Sequence, residues 1–104
     1  MSGSNGVPKK FRVGRTAAVL AQVEERYREA EESGRDVEFV AAMRYIFTTL
    51  RTHPREFGEP LWTLPHARLT IRVGASSPVS VRYAVHETAY EVLLLQVDLM
   101  AAGD

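Results

Sequence analysis

Residues 67–85 read ARLTIRVGASSPVSVRYAV and contain two runs in which apolar and polar side chains alternate. The first run covers 67–73 and the second covers 79–85. A period of two is typical of strands that bury one face of a sheet. The intervening residues 74–78 are glycine, alanine, two serines and proline, which favour a turn. The stretch therefore predicts a β-hairpin.

Two amphipathic helices are predicted on the N-terminal side of this hairpin. Thr16 has the side chain of an N-cap, and apolar residues follow it at helical spacing until Gly34, which favours a helix end. A second and more apolar stripe begins after Asp36, the predicted N-cap of the next helix, and is closed by Pro54. The short connection between them predicts an antiparallel helical hairpin.

The remaining strands complete the predicted architecture. Phe11 and Val13 alternate with polar neighbours before the first helix, and residues 90–97 form an apolar run after the β-hairpin. The fold class is therefore predicted as α+β: an N-terminal strand, an antiparallel helical hairpin, and then a three-stranded antiparallel meander. We expect the helices to cover one sheet face, with Phe47 and Ile71 buried together between the two layers.

Length and composition restrict the kinds of protein that this chain can be. Its 104 residues are enough for one domain, predicted over 10–104 after a flexible tail at 1–9. The formal net charge is zero, so no strong basic field favours nucleic acid. Cysteine is absent, and the three histidines match no metal-binding spacing, so neither a metal nor another cofactor is expected. No membrane span or signal peptide is recognisable, and the expected location is the cytoplasm.

A candidate site follows from the predicted strand pairing. If the turn is centred near Ser76, Arg72 lies opposite Ser80, Thr70 opposite Arg82, and Arg68 opposite Ala84. The three arginines would then surround Thr70 on the sheet face away from the helices, with leucines of the third strand beside them. The predicted site residues are Arg68, Thr70, Arg72, Ser80, Arg82, Leu93 and Leu95.

Three interpretations of this face stay open. Arginines beside apolar side chains suit a protein partner, whose binding energy would come from desolvated anchors. Alternatively, Arg82 pairs with Glu91, and the C-terminal segment or a second copy of the chain in a homodimer covers the leucines. The third interpretation is a phosphate site for RNA. No catalytic residue is assigned.

The order of elements carries a resemblance to a known family. Two further features carry the same resemblance: a residue pattern at the helix-to-strand junction and the strand sequence VRYAV at 81–85. The junction residues are Leu50, Pro54, Gly58, Pro60 and Leu61. With these features the chain resembles a divergent member of the RelE/ParE toxin superfamily of toxin-antitoxin systems, over nearly all of its length after the tail.

The resemblance implies a function by analogy. Members include ribosome-dependent mRNA endonucleases and gyrase poisons, each held inactive by a cognate antitoxin. The nucleases usually carry an arginine three residues before the strand tyrosine, and Ser80 occupies that position here. Their closing His or Tyr group follows the last strand, whereas residues 100–104 contain neither residue type. We therefore expect a non-canonical toxin component that binds an antitoxin or another protein. The alternatives are a weak or altered mRNA endonuclease acting on the ribosome, and an orphan interaction module without toxicity.

Overall fold

The structure, a computed structural model, describes residues 10–101, and the predicted tail at 1–9 lies outside the described residues. In chain order the elements are β1 (Arg12–Arg15), α1 (Ala17–Glu32), α2 (Asp36–Thr52), α3 (Pro54–Phe57), β2 (Glu59–Leu64), β3 (Leu69–Ser76), β4 (Val79–His86) and β5 (Glu91–Leu99). The predicted α+β class and element order are confirmed. The antiparallel meander has one strand more than predicted, because 59–64 also joins the sheet.

The five strands form one mixed sheet in the order β1-β5-β4-β3-β2. Strands β2 to β5 pair antiparallel with one another, as expected for a meander. The first strand crosses to the opposite edge and runs parallel to β5, with Val13 opposite Val92. The N-terminal and C-terminal strands therefore lie side by side, which ties the two ends of the described chain together.

The helix boundaries follow local chemistry in most places. Thr16 is the N-cap of α1, and its Oγ1 accepts a hydrogen bond of 3.1 Å from the amide of Val19. Gly34 follows the end of this helix in the left-handed region, at φ 73°. The predicted N-cap Asp36 is instead the first residue of α2, where its carboxylate favours the positive end of the helix dipole. Arg35 precedes it as the cap.

The hydrophobic core lies between the helices and one face of the sheet. Alternate residues of β4 supply its centre, where Val79, Val81 and Tyr83 are at most 1% exposed. The second helix contributes Ile46 and Leu50, both fully buried. We call this sheet face the inner face and the opposite one the outer face.

The β3–β4 turn differs from the prediction. Ser76 pairs with Val79, so the loop consists of only two residues, Ser77 and Pro78. The predicted turn, centred on Ser76, was wrong. Because the true centre lies between two residues, every residue of β3 changes face relative to β4.

Facing pairs in the structure correct the predicted register. Arg72 lies opposite Tyr83 on the inner face, whereas the prediction placed it opposite Ser80. Ile71 lies opposite Ala84 on the outer face. Phe47 is half-buried at the border of the core, but Ile71 is not part of that core, so the predicted contact between them was wrong.

Two glycines allow α3 and the start of β2 to pack closely on β3. A Cβ on Gly58 would lie 2.1 Å from the carbonyl oxygen of Val73, and a Cβ on Gly74 would lie 2.5 Å from the ring of Phe57. The Phe57 ring instead uses this space and stacks on Tyr83 at 6.0 Å between centroids. These contacts explain why β3 turns its glycine face, and not its Leu-Ile-Val face, towards the helices.

The first helix also protects an open strand edge. Strand β1 pairs with β5 only as far as Leu94, so the remainder of β5 has a free edge on that side. Gln22 accepts a hydrogen bond of 3.0 Å from the amide of Val97, and Arg26 donates one of 3.3 Å to the carbonyl of Val97. Satisfied backbone groups cannot recruit a foreign strand.

Candidate binding surface

The outer face of the sheet has no helix over it in the described part of the chain. Cross-strand pairs place Leu64 beside Leu69 and Trp62 beside Ile71 on this face. The pair of Ile71 with Ala84 and the pair of Ala84 with Leu93 extend the row across the sheet. The outer face is therefore a continuous apolar strip that crosses four strands.

The strip has a buried floor and exposed side chains at both ends. Ile71 and Ala84 are 4% and 2% exposed although no helix covers them. Trp62, Leu64 and Leu93 are 48%, 41% and 38% exposed. Large apolar side chains around a dry floor are typical of surfaces that bind other proteins.

A groove of about 460 Å³ lies at the β1 end of the strip. Gly14 forms part of its wall, and a Cβ there would touch Leu93 at 3.3 Å. Leu69 and His86 line the other side. His86 accepts hydrogen bonds at Nδ1 from the amides of Thr88 and Ala89, at 3.2 and 2.9 Å, so Nε2 is the ring nitrogen that can donate.

Charges on the outer face are few and are close to aromatic or acidic groups. The guanidinium carbon of Arg82 lies 5.8 Å from the centre of the Trp62 ring, in a cation–π arrangement. Arg12 forms an ion pair with Glu91 at the edge of the groove. The alternative in which Glu91 pairs with Arg82 is therefore wrong.

The structure separates the seven predicted site residues. Ser80, Arg82 and Leu93 lie on the outer face as predicted. Leu95 is half-buried at a β-bulge, where the register passes from Leu94 to Gln96 without a partner for it.

The other three predicted residues lie elsewhere. Thr70 and Arg72 are on the inner face, opposite Val85 and Tyr83. Arg68 lies in the turn before β3 with φ 57°, and its carbonyl accepts a hydrogen bond from the amide of Glu87 at 2.8 Å. The predicted triangle of arginines around Thr70 therefore does not exist.

Arg72 has a structural role on the inner face. Its Nη2 donates to the carbonyl oxygen of Gly58, while its Nε is buried without a hydrogen-bond partner. Beside it, the Tyr83 hydroxyl accepts from the Gly58 amide at 3.1 Å and donates to the Pro54 carbonyl at 2.8 Å. Burial raises the pKa of Tyr83 above its ordinary value, and Arg72 opposes this in part.

Sequence reasoning missed the residues that β2 contributes. Trp62 and Leu64 lie on the outer face, opposite Ile71 and Leu69 of β3. The missing signal was available: Trp62 and Leu64 are separated by one polar residue, which is strand spacing. The bulge at Leu61 hides the alternation because it adds a third apolar residue.

Comparison with known proteins gives no further assignment. A scan against protein-family models, a search of curated proteins and a search of solved structures found no match. Within residues 10–101, no group of three or more His, Asp or Glu side chains is placed to hold a metal ion. No helix in the same range is long and apolar enough to cross a membrane.

Proposed function

We propose that this chain acts by binding a protein partner through the outer face of its sheet, as a non-canonical RelE/ParE-like toxin component. The observation that carries the proposal is the exposed apolar strip with Trp62 and Leu93 at its two ends. Exposed Trp and Leu side chains around a fully desolvated floor can supply binding energy when a partner covers them. The RelE/ParE part of the proposal depends on the order of helices and strands, on which the resemblance to that superfamily is based.

An mRNA endonuclease is less well supported. Of the three arginines considered as phosphate ligands, only Arg82 lies on a strand of the outer face, and it is over Trp62. Arg72 is committed to Gly58 on the opposite face. Ser80, at the position of a family arginine, is on the outer face and cannot stabilise phosphate charge as a guanidinium does.

Growth assays test the proposal. We expect expression of the wild-type protein to arrest the growth of a bacterial host. The double variant Trp62→Glu, Leu93→Glu should abolish the arrest, because binding of the partner would have to bury two carboxylates in an apolar contact. Leu20→Glu is the matched control, since Leu20 is 48% exposed on α1, on the opposite side of the sheet from the strip. Thermal unfolding must show that all three proteins fold. Equal arrest by the double variant would contradict the proposal.

An RNA assay separates the nuclease alternative. The wild-type protein should leave mRNA on translating ribosomes intact. If it cuts and Arg82→Ala abolishes the cleavage, binding alone is the wrong function. The affinity of a phosphate site would also fall steeply as the salt concentration rises. Removing one arginine would reduce the slope of log affinity against log salt by about one unit. Absence of growth arrest by a folded wild-type protein would favour an interaction module without toxicity.

A further inference from the structure

A second groove lies between α1 and α2, on the helical side of the molecule. Its volume is about 960 Å³, twice that of the groove on the outer face. Its apolar lining comes from both helices: Val23, Tyr27, Phe39, Val40, Met43 and Phe47. Of these, Val40 is the most exposed, at 38%. At the bottom of the groove, Phe39 and Met43 are 2% and 7% exposed and belong to the core.

The rim of this groove carries an excess of positive charge. Arg15, Arg28, Arg44 and Arg51 lie along it, against two acidic residues, Glu24 and Glu31. None of the four arginines forms an ion pair with another residue in the described range. The guanidinium carbon of Arg15 lies 5.4 Å from the centre of the Phe47 ring, at one end of the groove. The whole chain is neutral, so this local excess is a distinct feature of the α1–α2 side.

We propose that this interhelical groove binds an acidic amphipathic helix of a partner protein. The groove follows α2 from Phe39 to Arg51, which is a length of about 18 Å at 1.5 Å per residue. That length matches three turns of a helix, enough for apolar anchors at positions i, i+4 and i+7. Acidic residues beside those anchors would meet the unpaired arginines.

The charge pattern selects this occupant over a segment of the same chain. Residues 1–9, which precede the described range, contain a lysine and no acidic residue. They would add positive charge to a rim that already has an excess of it. A partner with acidic flanks removes that repulsion, and it does not compete for the outer face, which is on the other side of the sheet. The inference is therefore independent of the proposed function.

The test uses a designed probe. A fluorescein-labelled helical peptide of about 16 residues, with leucine anchors at i, i+4 and i+7 and glutamate flanks, is titrated with the full chain and followed by anisotropy. Val40→Glu should weaken binding by about tenfold or more, because it places a carboxylate among the anchors. Val37→Glu is the matched control: Val37 is 73% exposed on the same helix but does not line the groove, and binding should be unchanged.

A charge exchange tests the arginine rim. Arg44→Glu should weaken binding of the glutamate peptide and strengthen binding of the same peptide with lysine flanks, and both effects should fade as salt rises. Equal binding to the Val40→Glu and Val37→Glu proteins would overturn the proposal, as would loss of peptide binding with Trp62→Glu, Leu93→Glu. The proposal would also be overturned if the peptide did not bind. The same holds if the fatty acid decanoate bound at Val40 instead of the peptide.

Discussion

Tyr83 shows how one side chain connects three elements. It is fully buried on β4, yet its hydroxyl accepts a hydrogen bond from Gly58, the C-cap of α3, and donates one to Pro54, the first residue of that helix. A buried hydroxyl with both roles satisfied stabilises the fold, whereas its removal leaves the amide of Gly58 and the carbonyl of Pro54 unpaired. Arg72 reaches the same glycine from β3. The position of α3 is therefore fixed by hydrogen bonds as well as by packing.

Tyr83→Phe should lower the free energy of unfolding by about 1–3 kcal/mol near neutral pH, because the buried hydrogen bond to Pro54 and the partly buried one from Gly58 are both lost. Burial raises the pKa of Tyr83 in the folded protein. Above about pH 10 an unfolded tyrosine loses its proton while the folded one keeps it, so the stability due to Tyr83 falls as pH rises.

Urea unfolding of both proteins at neutral pH and at increasing pH above 10 measures this effect. The stability difference between the wild type and Tyr83→Phe should shrink in the alkaline range. Comparing the two proteins cancels the titration of the other tyrosines, which both share. A difference that stays constant or grows with pH would contradict the assigned environment of Tyr83.

At the scale of elements, the contact of α3 and β2 with β3 depends on the absence of side chains. The backbone of Gly58 is so close to Val73 and Gly74 that no Cβ fits between them. The backbone angles of Gly58, φ −116° and ψ −161°, are open to any residue, so the requirement for glycine comes from space alone. This close approach also brings the Gly58 carbonyl within reach of Arg72.

Gly58→Ala should destabilise the protein by about 2–3 kcal/mol or more, because the added Cβ meets rigid backbone and forces α3 away from β3. Gly14→Ala is the control: its Cβ would lie 3.3 Å from the end of the Leu93 side chain, which can move, and at an ordinary contact distance of 3.7 Å from the Val92 carbonyl oxygen. We expect Gly14→Ala to cost less than about 1 kcal/mol. Chemical denaturation measures both, and equal losses would show that the predicted clash is relieved without cost.

At the scale of the whole molecule, the sheet is covered unequally on its two faces. The helices cover the inner face, where Ile46 of α2 is fully buried. The outer face buries Ile71 only under neighbouring side chains such as Trp62, which is itself 48% exposed. Cavities close more easily where neighbours are free to move, so the two isoleucines should respond differently to truncation.

Ile46→Ala should cost about 2–5 kcal/mol, whereas Ile71→Ala should cost no more than the lower end of that range. Both substitutions remove the same atoms from nearly fully buried positions, so hydration alone predicts equal losses. The difference measures how well each layer relaxes. Denaturant unfolding of the two variants measures this difference. A loss of stability for Ile71→Ala that equals or exceeds the loss for Ile46→Ala would mean that the outer face is at least as tightly packed as the core.

Local chemistry in the sequence determined much of this fold. The Thr16 hydroxyl, the apolar stripes and the break at Pro54 predicted both helices, because capping and periodicity act within a few residues. The apolar residues of β4 likewise identified the strand at the centre of the sheet. Of the outer face, the positions of Ser80, Arg82 and Leu93 could be predicted from the same alternation.

Only the tertiary structure decided the pairing of β1 with β5 and the faces of β3. Nothing local to β1 specifies a partner that is some 80 residues away, because the contact depends on how all the intervening elements are arranged. For β3, alternation defines two faces but does not say which faces the helices. The two-residue turn and the space that Phe57 needs beside Gly74 selected the glycine face for the core. That choice sent Ile71 outward and Arg72 inward, and thereby made the outer face an apolar strip.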